Sequence, residues 1–140
     1  ATAISLLLQQ PGLATRYALP ENLDEETDEP GLKLLRTLHK ITLAEPNLTT
    51  GALLERFRDT EDSNTLEKLA GKDHLLEEED FSPFFSETLV TLQDQALGQS
   101  IDKLVARAAR EDLDTSSKER LAALYLERQS LRERREEGGK

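Results

Sequence analysis

The sequence predicts an all-α protein, with an N-terminal helical bundle joined by a long helix to a C-terminal helical hairpin. Apolar residues recur three and four positions apart in several segments, as on one face of a helix. No segment shows the alternation that a half-buried strand requires. Prolines punctuate the first part of the chain, but none follows Pro83. We therefore predict a bundle over residues 1–96 and, over residues 97–140, a hairpin made of the second half of the long helix and the C-terminal helix.

Length and composition suit one ordinary domain or two small helical units, with a core built mainly of Leu and Ala. The 140 residues include four Phe, two Tyr and no Trp, Met or Cys, which excludes disulfides and thiolate metal sites. No apolar run is long enough to span a membrane, and no signal peptide begins the chain, so a cytoplasmic location is expected. The first residue is Ala rather than Met. We therefore expect a domain of a longer protein.

The net charge of −10 is carried almost wholly by the first 80 residues. Nucleic-acid binding depends on a surplus of Lys and Arg that neutralises phosphates. Direct nucleic-acid binding is therefore not expected, and a protein partner is favoured. The same charge is also explained by solubility alone.

The first part of the chain predicts several short helices joined by tight turns. Leucines at 6–8 begin the first helix, Pro11 and Gly12 interrupt it, and another turn follows at 13–17. Residues 19–30 contain two prolines and six carboxylates, which predict an acidic loop with a helical turn at 22–25. Helical spacing then predicts three further helices. The first spans 31–45, the second begins after a cap at Thr49 or Thr50, and the third lies around residues 66–69.

A long helix is predicted from Ser82, as the N-cap, to about residue 110, or roughly 29 residues. Pro83 suits the first helical position. The apolar face changes direction along this helix, from Phe85 and Leu89 to Leu97 and Ile101, so one helix contributes to two cores. Gly98 lies beside the change and is expected to permit a bend.

The final helix carries more apolar surface than one neighbour can cover. After a cap at one of residues 115–117, the stretch LAALYLERQSL places apolar residues around an arc of about 220°, whereas one packing contact needs about 100°. Part of the arc is expected to pack on Ile101, Leu104 and Val105. The remainder is available to another chain.

No residues predict catalysis or metal binding. The chain lacks phosphate-binding, zinc-protease and hydrolase motifs, and its carboxylates fall in loops and caps. His39 and His74 have no second ligand nearby and are interpreted as surface or cap histidines. We therefore expect no catalytic residues, no metal and no cofactor in this domain.

Five blocks occur in an order that resembles a known family: LLLQQPGLA (6–14), ENLDE (21–25), PGLKLLRTL (30–38), LTTGALLERFRDT (48–60) and TLEKLAG (65–71). Together they resemble the C-terminal helicase-binding domain of bacterial DNA primase, in its gammaproteobacterial form. The resemblance implies a non-catalytic module that docks on the N-terminal domains of the hexameric replicative helicase. Docking recruits primase to the replication fork for RNA primer synthesis. The zinc-binding and polymerase domains of the parent primase, a nucleotidyltransferase, would lie upstream.

The resemblance and the helical wheel together nominate two sets of contact residues. Gln129 comes from the family's terminal hairpin and the apolar members come from the wheel. Arg128, Arg132 and Arg135 are added as further contacts, because the stretch RERREEGGK runs on past the family's usual end. The predicted helicase-binding residues are Leu124, Tyr125, Leu126, Arg128, Gln129, Leu131 and Arg132. The family also offers its bundle to the C-terminal tail of single-stranded-DNA-binding protein. The matching positions are Ile4, Lys68 and Leu69.

Three alternatives remain at this stage. The first is the N-terminal domain of the replicative helicase itself, which forms rings and whose shape resembles that of the primase domain. A nucleic-acid-binding domain conflicts with the charge and lacks a basic face bearing aromatic residues. A hydrolase on a helical scaffold lacks candidate catalytic groups.

Overall fold

The computed structural model describes residues 2–20 and 30–138, with side chains from residue 31 to residue 135 in the second range. The helical turn considered at 22–25 lies outside these ranges. The chain divides into two compact units, Ala1–Leu89 and Val90–Lys140. The predicted division after residue 96 falls in the same helix as this boundary and stays a prediction.

The described part of the chain is all-α and contains no strand, as predicted. In unit 1, α1 spans Thr2–Gln9, α2 Leu13–Arg16, α3 Pro30–Ala44, α4 Thr50–Arg56 and α5 Ser63–Ala70. A 3₁₀ turn at Glu78–Asp80 leads into the long helix α6, Phe81–Ala108, which continues into unit 2. The last helix, α7, spans Thr115–Gly138.

Helix α1 is the centre of unit 1. It packs against α3, α4 and α5, and six of its eight residues are buried. A helix that is apolar around most of its circumference must be surrounded, which explains why short helices cover it on several sides. The fully buried side chains of this core are Leu6, Leu7, Leu8, Leu35, Leu38, Leu53, Leu66 and Phe85.

A partly buried polar network, centred on the buried Ser5, joins α1 to the end of α5 and the segment after it. The Ser5 hydroxyl donates to the Leu69 carbonyl at 2.5 Å, which uses its single proton. The His74 Nε2, at 2.7 Å from the Ser5 oxygen, must therefore be the donor in that bond. Gln9 adds a bond from its side-chain nitrogen to the Lys72 carbonyl at 2.6 Å. The network joins residues more than 60 positions apart.

The structure corrects two predictions in unit 1 through one residue, Tyr17. His39 is not a surface histidine, because its side chain is buried. Its Nε2 donates to the Tyr17 carbonyl at 2.8 Å, which satisfies this buried nitrogen. Ser82 does not cap α6, since the helix begins at Phe81 and the Ser82 hydroxyl bonds with the Tyr17 hydroxyl at 2.7 Å. The predicted cap at Thr49 is confirmed, as its side chain accepts from the Ala52 N–H at 3.2 Å.

Unit 2 is a helical hairpin built from the second part of α6 and from α7. Its buried core contains Leu97, Ile101, Leu124 and Leu131. Leu104 packs against this core as expected, but Val105 is 45% exposed, so its predicted place in the seam is wrong. A 100° step per residue turns Val105 away from α7.

The cap of α7 differs from the prediction by one residue. Asp114, rather than a residue of 115–117, accepts from the Ser117 N–H at 2.8 Å, while its own carbonyl accepts the first helical bond from Lys118. Hydrogen bonds from Ser117, first from its side chain and then from its backbone N–H, lower the pKa of the Asp114 carboxyl. Arg107 donates to the Ser117 hydroxyl and so joins the end of α6 to the first turn of α7.

Candidate protein-docking surface

Helix α7 has a face that packs on α6 and a face exposed to solvent. With Leu124 as zero and 100° per residue, Arg128 and Leu131 lie within about 40° of it, and Leu121 lies at about 60°. Leu124 and Leu131 are 7% and 5% exposed. This stripe is about as wide as one helix–helix contact requires.

The remaining apolar residues of α7 are outside the seam. Tyr125 and Leu126 are 52% and 66% exposed. On the same wheel Tyr125, Gln129, Ala122 and Leu126 fall in order from about 100° to about 200°. Gln129 is exposed between them, with its side-chain nitrogen 3.2 Å from the Glu133 carboxylate one turn further on. The predicted surplus of apolar surface is therefore present within unit 2.

Arg128 and Arg132 converge on one carboxylate, Asp94 of α6. The Arg128 Nε lies 3.2 Å from Oδ1, and the Arg132 Nε and Nη2 lie 3.0 and 3.4 Å from Oδ1 and Oδ2. The Asp94 side chain is only 16% exposed. The hydrogen bond from Arg132, followed by that from Arg128, lowers its pKa against an opposing effect of burial.

The predicted helicase-binding set thus occupies three kinds of position. Leu124 and Leu131 are core residues, Arg128 and Arg132 pair with Asp94, and the exposed face holds the others: Tyr125, Leu126 and Gln129. Sequence reasoning missed Asp94. The sequence did contain a signal for it: Asp94 lies three positions before Leu97 and seven before Ile101, and this spacing puts its carboxylate on the face of α6 that meets α7.

The second predicted set lies in unit 1, on α1 and α5. Ile4 is buried at 4% exposure, Lys68 is exposed and Leu69 is partly buried. The bond from Ser5 to the Leu69 carbonyl fixes these two helices side by side next to Ile4. The structure therefore brings the segments of this set together and leaves the ammonium in solvent.

Neither a metal cluster nor a membrane-spanning helix is found in the described ranges. Within residues 2–20 and 30–138, no group of three or more His, Asp or Glu side chains could hold a metal ion. No helix in those ranges is long and apolar enough to cross a membrane.

The described residues form an all-α domain, and its hairpin presents a tyrosine and a leucine to solvent, as protein-interaction domains do. The family model for the DnaB-binding domain of the DNA primase DnaG matches residues 1–124. The chain belongs to this family. The family is described as a DnaB-binding domain, which agrees with the prediction of a non-catalytic interaction module. It does not favour the alternative that the chain is the N-terminal domain of the helicase itself.

Similar proteins agree with this family. The DNA primase of Pasteurella multocida is 38% identical over 90% of this chain, and that of Escherichia coli K12 is 41% identical over 84%. The chain spans only 22% and 20% of these primases. The crystal structure of the DnaG primase C-terminal domain from Vibrio cholerae superposes with a TM-score of 0.71 at 29% identity, covering 89% of this chain and 93% of that one.

Proposed function

We propose that this domain docks on the N-terminal domains of the hexameric replicative helicase and so recruits a DNA primase to the replication fork in the cytoplasm. The observation that carries the proposal is the exposed face of α7, defined here by Tyr125, Leu126 and Gln129. Tyrosine is enriched at the centres of protein interfaces, since it combines a large apolar ring with a polar end. The family description names DnaB binding, which supports the same partner.

The mechanism is local concentration. Docking holds the polymerase domain of the parent primase near newly unwound template, where it makes RNA primers. One helical face makes a small interface, so each contact is expected to be micromolar. Several sites on a hexamer then add avidity. We expect the domain itself to supply no catalytic residue and no cofactor.

The docking face is tested by native mass spectrometry with a cognate helicase, using the Tyr125→Ala/Leu126→Ala double variant. Loss of both side chains is expected to weaken binding by at least about tenfold, as truncation of central anchors does. Leu43→Ala removes a side chain of similar exposure in unit 1 and serves as the control. Unchanged affinity of the double variant would reject this face as the contact.

The same experiment separates the alternative functions. The domain alone is expected to remain without a ring, and single-stranded DNA is expected to give no complex. A ring of the isolated domain would instead favour the helicase-like alternative. A DNA complex that weakens steeply with salt would favour a nucleic-acid-binding domain.

A second proposed partner is the acidic C-terminal tail of single-stranded-DNA-binding protein. The supporting observation is the adjacency of the Lys68 ammonium and the partly buried Leu69, next to α1. A cation beside apolar side chains suits a terminal carboxylate that follows an apolar residue. Fluorescence anisotropy with a tail peptide should show binding that Lys68→Ala weakens and that Lys72→Ala, an exposed control, retains. Equal binding by both variants would reject this site.

A further inference from the structure

Pairs of residues along the hairpin fix one alignment of α7 on α6. The Arg135 guanidinium donates to the Thr91 hydroxyl at 2.9 Å, and Arg132 bonds to Asp94. One turn further on, Arg128 lies against Gly98. Each step of three or four residues forward along α6 matches an equal step back along α7, as an antiparallel alignment requires. The polar contacts therefore report the register of the two helices.

The apolar seam alone specifies this register weakly. Leucine-rich faces can pack after a shift of one turn, about 5.4 Å, because a neighbouring aliphatic side chain occupies nearly the same place. Buried polar residues have a well-documented role in fixing the register of paired helices. Asp94 is such a residue, since its side chain is 16% exposed and accepts hydrogen bonds from Arg128 and Arg132 of α7.

Gly98 gives the second constraint. A Cβ at this position would lie 2.8 to 3.0 Å from the Arg128 guanidinium, closer than real Cβ contacts. Arg128 can therefore cross α6 and reach Asp94 only over a residue without a side chain. No other glycine lies in α6, so a shift of one turn would place Arg128 against a side chain.

We propose that Asp94 is the positioning residue of the docking hairpin: its pairing with Arg128 and Arg132, over Gly98, holds α7 in one register. In that register Tyr125, Gln129 and Leu126 face outward together. The inference rests on the proposed docking function and deepens it. It also gives Arg128 and Arg132 an intramolecular role in place of direct contact with the helicase.

A double-mutant cycle distinguishes the two roles of the arginines. Asp94→Asn and Arg132→Gln are each expected to raise the Kd for the helicase about threefold or more, because the binding-competent register becomes less populated. The Kd of the Asp94→Asn/Arg132→Gln variant should be no higher than that of the single variant with the higher Kd, since both substitutions break the same interaction. Multiplying losses would show that Arg132 contacts the helicase itself and would overturn the inference. Two single variants with unchanged affinity would overturn it as well.

The register is measured directly by pulsed electron paramagnetic resonance, which gives the distance between spin labels at two exposed positions, Gln99 and Glu127. The chain has no native cysteine, so labelled cysteines are the sole attachment points. One narrow distance is expected for the parent chain. Asp94→Asn should broaden or shift it by up to about one helical turn, 5.4 Å. Asp94→Glu should keep the narrow distance, and so should the exposed control Asp102→Asn.

The outcomes are separable from those of the proposed function. An unchanged distance in Asp94→Asn would overturn the positioning role, even if the Tyr125→Ala/Leu126→Ala variant loses the helicase. Retained binding by that double variant would instead reject the docking face, whatever the register measurement shows. Arg132 is 57% exposed, so Arg132→Gln provides a variant of the pair that is expected to fold.

Discussion

The guanidinium of Arg128 lies so close to Gly98 that a Cβ at position 98 would come within 2.8 Å of its Nη2. A helical Gly→Ala change whose new methyl group meets no close neighbour normally stabilises a protein by about 0.5–1 kcal/mol. At position 98 that gain is opposed by displacement of Arg128 from Asp94. A Cβ at position 98 and the guanidinium of Arg128 therefore compete for the same space, so a side chain at position 98 would displace the guanidinium.

The first prediction concerns Gly98→Ala. The guanidinium is the far end of a flexible side chain, so it should swing away rather than unfold the hairpin. The net change in the free energy of unfolding is expected to stay within about 1 kcal/mol. Asp94 then loses one of its two cationic partners, and its pKa should rise toward the ordinary value. Carboxyl NMR titration measures this rise. Gly51→Ala, whose nearest neighbouring atom is 4.0 Å away, should leave the Asp94 titration unchanged.

The second prediction is a pH dependence of hairpin stability. The pKa of Asp94 is lower in the folded chain than its ordinary value of 3.8. Its contribution to stability is therefore complete above that value and is lost as the pH falls through the folded pKa. The stability difference between the parent chain and Asp94→Asn should be constant from about pH 5 to pH 7 and shrink below pH 3.8.

Urea unfolding followed by circular dichroism measures this difference at each pH. Comparing two chains cancels the titration of most other carboxylates, because the remaining acidic residues are common to both. Asp102→Asn, an exposed position of the same helix, is the control. A difference that persists unchanged well below pH 3 would contradict a charged pairing at Asp94.

The third prediction separates the buried from the exposed face of α7. Leu124→Ala should cost about 2–5 kcal/mol, because it opens a cavity in the core of a two-helix unit. Tyr125→Ala should change the free energy of unfolding by no more than about 0.5 kcal/mol, since its ring is half exposed. Amide hydrogen exchange of residues 97–101 measures the opening of the hairpin. Equal protection in the two variants would show that the seam has been assigned to the wrong face.

The fourth prediction concerns the buried hydroxyl of unit 1. Ser5→Ala should cost about 1–3 kcal/mol, because it leaves the His74 N–H without its acceptor and removes the shortest hydrogen bond to the Leu69 carbonyl, which keeps only the longer bonds from Gln9 and the Lys72 N–H. Thermal unfolding monitored by circular dichroism measures the loss. Ser86→Ala, at a partly exposed position of α6, should stay within about 0.5 kcal/mol. A Ser5→Ala chain as stable as the parent would mean that water replaces the hydroxyl.

Predictions that depend on local patterns were accurate. Leu53 and Leu66 mark helices that lie where spacing placed them. The start of the long helix was close, but Pro83 is its third residue and not its first as predicted, because the helix begins at Phe81. Helical periodicity and proline geometry act over a few residues, so a single sequence contains them. The caps were less accurate, because several neighbouring Asp, Ser and Thr side chains can accept the same N–H. Asp114 competes in this way with three hydroxyl residues that follow it.

The sequence by itself determined the helical class, the order of helices and the surplus of apolar surface on α7, since these follow from residue spacing along one element. Only tertiary structure decided which part of that surface is covered. Burial of Leu124 and exposure of Leu126 depend on packing against Leu97 and Ile101 of α6, which lie more than 20 residues earlier in the chain. The pairing of Asp94 with two arginines, and the burial of His39 under a Tyr17 carbonyl, likewise join distant residues. Their geometry arises from packing, because no periodicity within one segment specifies a contact between two.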